Sequence, residues 1–158
     1  MKKEYLDNLF KNIFINEKSV FSLSLPVTII YKYIFSQNAH ILQLNHDLLH
    51  SEIDVLASLL FNNKIMSPTD LYEATIFSSG GMTKILKKLE HKKLISRIQS
   101  NEDKRSTLVK LEPKGEELVK SCFVNILKED DHIFSVLDEK EKESLAKILK
   151  KLVYSTLS

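Results

Sequence analysis

Three lysines, Lys84, Lys87 and Lys88, follow a run of small residues in the segment SSGGMTKILKKLE. Met82, Ile85, Leu86 and Leu89 recur at helical spacing and predict a buried stripe, which leaves Ser79, Gly80, Thr83, Lys84, Lys87 and Lys88 on the other side. The chemistry open to such a face is anion recognition. Free N–H groups at a helix start can hold a phosphate, and cations further along neutralise others. The major groove of B-DNA admits one helix of this kind. On this reading Gly80 and Gly81 both lie in the first helical turn, where each costs about 1 kcal/mol relative to alanine.

A second charged group lies in SNEDKR, between the strand-like runs ISRIQ and STLVKL. Lys104 and Arg105 would project from the turn of a hairpin, with Asp103 close enough in sequence to hold the Arg105 guanidinium in a fixed direction. An arginine on a thin ribbon suits a minor groove, where it senses width and negative potential. Taken alone, SNEDKR reads as an ordinary solvated turn. Residues 78–110 carry nine basic and three acidic side chains, a net +6, whereas the remainder, with 14 basic and 18 acidic, nets −4. That asymmetry points to an anionic partner, with a solvated Lys-rich helix face as the bland alternative.

Other reactive side chains assemble into nothing comparable. No nucleophile, base and orienter can be grouped, and the glycine pair lacks the spacing of a nucleotide phosphate loop, so neither an enzyme nor a cofactor is expected. Among the histidines His40, His46, His50, His91 and His132, the pair His46 and His50 has the spacing of two ligands on a helix face, but no third ligand is evident and no metal is expected. The single cysteine, Cys122, beside Phe123 in an apolar helical run, excludes an intrachain disulfide and reads as a buried inert thiol in a reducing cytoplasm. The N-terminal MKKEYLDNLF lacks the continuous apolar run of a signal peptide, and no stretch approaches a membrane span.

Few residues are available to punctuate strands and turns: three prolines and three glycines in 158 residues favour a mainly helical protein of one-domain size. Leu6, Leu9, Phe10, Ile13 and Phe14 mark a first amphipathic helix, and Pro26 opens, as a first-turn residue, a long second one reaching about Leu44. EIDVLASLLF is a third, ended by NNK. Ser67 as N-cap, Pro68 at the first helical position and Asp70 at the third start a short fourth, with a break near Phe77 and Ser78 before the lysine-bearing helix. Two short helices with a tight break form a helix-turn-helix candidate. After the hairpin, a long helix runs through GEELVKSCFVNILKEDDHIFSVL, and Asp138 caps a last one striped by Leu145, Ile148, Leu149, Leu152 and Val153.

The stretch SPTDLYEATIFSSGGMTKILKKLEHKKLISRIQSNEDKRSTLVKLEPKG, with LLHSEIDVLASLL before it, resembles the winged helix-turn-helix of the MarR family of bacterial transcriptional regulators. The order agrees: short helix, recognition helix opening with small residues and Thr-Lys, LEHKKLISR into a strand, the tip DKR, then LVKLEPKG into a long helix. The resemblance implies that Ser78, Ser79, Gly80, Thr83 and Lys84 face the major groove, with Lys87 and Lys88 near phosphates. It also implies that Arg105, beside Lys104 and positioned by Asp103, enters the minor groove. One departure is Glu112-Pro113 where the family often has Thr-Pro, so the next helix is expected to lack a Thr N-cap.

Family members are two-fold dimers with interlocked N- and C-terminal helices. This implies a homodimer with Leu6, Leu9, Phe10, Ile13, Leu145, Ile148, Leu149 and Leu152 at its interface, and a pseudopalindromic operator with half-sites about 34–36 Å apart. The alternative is that the terminal helices pack on each other within one chain. The family also implies a small aromatic ligand between the dimerisation helices and the DNA-binding lobe. Tyr31, Tyr33 and Phe35 could line its pocket, although aromatics at this spacing are more often plain core.

The expectation is therefore a mainly α protein: a winged helix-turn-helix lobe at 47–113 with a two-stranded wing, and a helical dimerisation region at 1–46 and 114–158. Its expected role is that of a homodimeric repressor on double-stranded DNA, away from membranes. A winged-helix interaction module without DNA binding is the alternative, against which Lys84, Lys87 and Lys88 argue.

Overall fold

The computed structural model describes residues 2–13, 20–76, 81–100 and 106–157, and the chain divides into two compact units, Met1–Asn38 and Ala39–Ser158. The first holds α1, Lys3–Ile13, and most of α2, Phe21–His46. Because α2 starts at Phe21, Pro26 is interior to it, which corrects the first-turn placement. The helix nucleates upstream: the N–H groups of Leu23 and Ser24 bond the Val20 carbonyl at 3.0 and 3.1 Å. A proline at the sixth helical position then forfeits one ladder bond without stopping the helix.

The second unit contains the end of α2, then α3 (His50–Phe61), β1 (Ile65–Met66), α4 (Pro68–Ala74), α5 (Met82–His91), β2 (Ile95–Gln99), β3 (Thr107–Leu111), α6 (Pro113–Phe134) and α7 (Glu139–Ser155). The strands form one antiparallel sheet in the order β1-β3-β2. Ile95 pairs with Leu111, Arg97 with Val109 and Gln99 with Thr107, which is the expected two-stranded wing. β1 adds a third strand by pairing Ile65 with Lys110 and Met66 with Val109. It forms because Asn63 and Lys64, at φ 58° and 66°, turn the chain out of α3, and the Lys64 carbonyl accepts the Leu111 N–H at 2.8 Å.

The core lies between α3, the sheet and α6. Leu56 and Leu59 of α3, Val109 of β3 and Val119 and Cys122 of α6 are buried together, with Leu71 of α4 and Leu86 and Leu89 of α5. α6 begins with Pro113 at its first position and no side-chain cap from Glu112, as expected from the missing threonine. The Glu112 carboxylate instead accepts the Ser96 hydroxyl, and its backbone N–H donates to Leu94 O at 3.0 Å. α7 has the expected Asp138 cap, accepting the Glu141 N–H at 2.9 Å while the Glu141 carboxylate accepts the Asp138 N–H at 2.9 Å.

Candidate nucleic-acid interface

α4 is held in place by local chemistry. The Ser67 Oγ accepts the Asp70 N–H at 3.0 Å, Pro68 fits the first turn, and Leu71 is fully buried. The Ser58 hydroxyl donates to the Ala74 carbonyl at 3.3 Å, fastening the end of α4 to α3. This fixed short helix leads into α5.

α5 starts at Met82, with Gly81 as its N-cap in the left-handed region at φ 82°. Gly81 is thus outside the helix, and the expected cost of a glycine in the first turn does not arise at this position. Its carbonyl already accepts the N–H groups of Lys84 and Ile85 at 2.8 and 3.0 Å, and among the described residues no side chain caps the helix start. Leu86 and Leu89 are buried and Met82 and Ile85 pack against the core, as the stripe predicted. Thr83, Lys84 and Lys87 are exposed on the opposite face. Ser78, Ser79 and Gly80 lie outside the described residues.

Among the described residues, Lys84 and Lys87 of the basic segment have no carboxylate within ion-pair distance, whereas Lys88, Lys92 and Arg97 are paired inside the protein. Lys92 meets Asp47 at 3.0 Å, which holds the Asp47 carboxyl below its ordinary value, and Arg97 of β2 meets Glu90 at 3.4 Å. Lys88 meets Glu52 of α3 at 3.0 Å. Glu52 and Asp47 are the residues that sequence reading missed. Glu52 reads locally as an acid in a helix first turn, and nothing in its neighbourhood marks a lysine 36 positions away.

The wing ladder extends past Gln99 through a bond of 2.9 Å from the Ser100 N–H to the Ser106 carbonyl. It therefore reaches the edge of the tip. Asp103, Lys104 and Arg105 lie outside the described residues.

At the chain ends, Leu6, Leu9 and Phe10 of α1 are partly buried, and Ile13 ends the helix. α7 has no buried residue: Leu145 is partly exposed, and Ile148, Leu149 and Leu152 are 57%, 39% and 53% exposed. Leu145, Ala146 and Leu149 face Phe134 and Leu137 across an open groove of about 300 Å³. On α2, Tyr31 and Phe35 have ring centroids 5.7 Å apart, and Tyr33 lines a depression of about 260 Å³ with Ile29, Lys32 and Ser36. His46 Nε2 lies 2.9 Å from Asn125 Nδ2, and burial pushes the Cys122 thiol up to about 11.

A short helix, an exposed cationic helix behind it and a paired β ribbon, all resting on α3, define a winged helix-turn-helix. The chain matches the family model of the transcriptional regulators SarA/Rot over residues 13–122. It belongs to that family, within the MarR-type winged-helix transcriptional regulators, and is not an enzyme. It is 32% identical over 107 residues to the transcriptional regulator MhqR of Bacillus subtilis, across 68% of this chain and 73% of that protein. Solved structures share the fold. MarR of E. coli in its apo form superposes with a TM-score of 0.70 at 22% identity, covering 85% of this chain and 98% of MarR. A MarR mutant complexed with operator DNA gives 0.63 at 22% identity, covering 85% and 99%. The organohalide-sensing regulator RdhR in its 2,4-dichlorophenol-bound form gives 0.67 at 21% identity, covering 85% and 79%.

Proposed function

We propose that this regulator binds double-stranded DNA as a homodimer at a pseudopalindromic operator and represses the adjoining promoter in the cytoplasm. In this reading α5 enters the major groove with Ser78, Ser79, Gly80, Thr83 and Lys84 towards base edges, while Lys87 and Lys88 border the phosphate path. Lys104 and Arg105 of the wing reach the neighbouring minor groove, with Asp103 directing Arg105. The observation that carries the reading is the exposed face of Thr83, Lys84 and Lys87 opposite the buried Leu86 and Leu89. The operator complex of a MarR mutant with the same fold supports it.

The homodimer reading rests on the apolar stripe of α7, where Ile148 and Leu152 are more than half exposed on a single chain. A second copy would cover it, with Leu6, Leu9, Phe10 and Ile13 of α1 contributing. A small aromatic ligand would release DNA by preferring one separation of the two recognition helices, and the dichlorophenol-bound RdhR supports that class of ligand.

The test is titration of labelled upstream fragments at two salt concentrations. Specific, salt-sensitive retention is expected. Arg105→Ala should weaken binding, and Lys87→Ala should reduce the salt slope by about 0.9. Absence of salt-sensitive binding to every upstream fragment would replace this reading with that of a protein-interaction module.

A further inference from the structure

Resting on the DNA-binding reading above, we propose that Glu52 is a positioning residue that clamps Lys88 and holds it back from contact with the DNA phosphates it borders, leaving Lys87 as the phosphate-neutralising cation of α5.

The two members of the pair sit in unequal surroundings. The Glu52 side chain is 1% exposed and the Lys88 side chain 46%. Both Glu52 oxygens lie 3.0 Å from Lys88 Nζ, and Oε2 also accepts the Leu49 N–H at 2.9 Å. Among the described residues Oε1 has no hydrogen-bond partner, and the Lys88 ammonium is the cation beside it. For Lys88 to leave Glu52 for a phosphate it must strand a carboxylate that is buried in this arrangement, a cost larger than the return from one solvent-screened phosphate contact. Lys92 provides the contrast within the same basic segment. Its partner Asp47 has a side chain 77% exposed, so water can replace the lysine there at little cost. Lys84 and Lys87 hold no carboxylate at all among the described residues. Spacing along α5 makes the lysines look alike; the depth of the residue across from each one separates them.

The experiment measures the slope of log affinity against log salt for a retained upstream fragment, in the wild type and four variants. Glu52→Gln keeps the side-chain shape and the acceptor for Leu49 N–H while releasing Lys88. Its slope should steepen by about 0.9, and adding Lys88→Gln should return it to the wild-type value. Lys88→Gln alone should leave the slope unchanged, whereas Lys87→Gln should lower it by about 0.9. A Lys88→Gln slope as shallow as that of Lys87→Gln, or no steepening in Glu52→Gln, overturns the proposal. If the wild type retains no fragment, the parent reading fails, and that result is distinguishable because the clamp has its own readout in melting temperature. Lys88→Gln should melt below wild type, and adding Glu52→Gln should recover most of the loss. Additive losses in the double variant overturn the clamp whether or not DNA is bound.

Discussion

Gly115 lies so close to Leu94 that a Cβ on it would overlap the Leu94 carbonyl oxygen and press on Leu111 Cδ1. The same carbonyl accepts the Glu112 N–H at 3.0 Å, so the first turn of α6 is drawn against the residue that precedes β2. Backbone is the obstacle, and it has little room to yield. Gly115→Ala is expected to cost about 1–3 kcal/mol, read as a lower urea midpoint with the slope unchanged.

Gly81 presents the opposite case. Among the described residues nothing lies within 4 Å of a Cβ built there, yet φ is +82°. Gly81→Ala should therefore destabilise by about 1–2 kcal/mol through conformation alone, and Gly81→Asn by less, because asparagine tolerates the left-handed region. Urea denaturation of the two variants side by side checks the order.

Lys93 follows α5 at φ 58°, and the bonds from Lys93 N–H to Glu90 O (2.9 Å) and from Leu94 N–H to Leu89 O (3.0 Å) close the helix end as a Schellman motif. Glycine is the residue suited to this position. Lys93→Gly is expected to raise stability by about 0.5–1 kcal/mol, seen as a higher urea midpoint.

Glu116 accepts from Lys120 and Lys64, each at 2.7 Å, and those contacts hold its carboxyl down to about 2 from an ordinary 4.5. The folded state thus binds the proton more weakly than the unfolded chain. The stabilisation is complete above pH 4.5 and is lost as pH falls towards 2. Glu116→Gln should unfold more easily than wild type at pH 6, with the difference shrinking through that window and vanishing below it. Thermal melts at stepped pH follow the difference directly.

What was legible in the sequence was what is decided locally. Ser67, Pro68 and Asp70 announce the start of α4 because capping is settled within four residues, and Asp138 does the same for α7. The stripe from Met82 to Leu89 fixes which face of α5 is buried. Pro26 was misplaced because proline marks a tolerated position without fixing where the helix nucleates. β1 escaped notice because two residues carry no period, and the strand exists only through pairing with Lys110 and Val109. The Glu52–Lys88 pair was hidden for a related reason. Burial of a carboxylate is a property of α3 against α5, and no spacing along either helix records it.

β3 is paired along both edges, with β2 over five residue pairs and with β1 over two, and the Leu111 N–H is also tied to the Lys64 carbonyl as the chain leaves α3. A ribbon fastened on one edge could flap. Seamed on the second edge to the turn after α3, this one is anchored to α3, the helix that also holds α5 through Glu52. A torque on the wing would therefore be carried through α3 to α5.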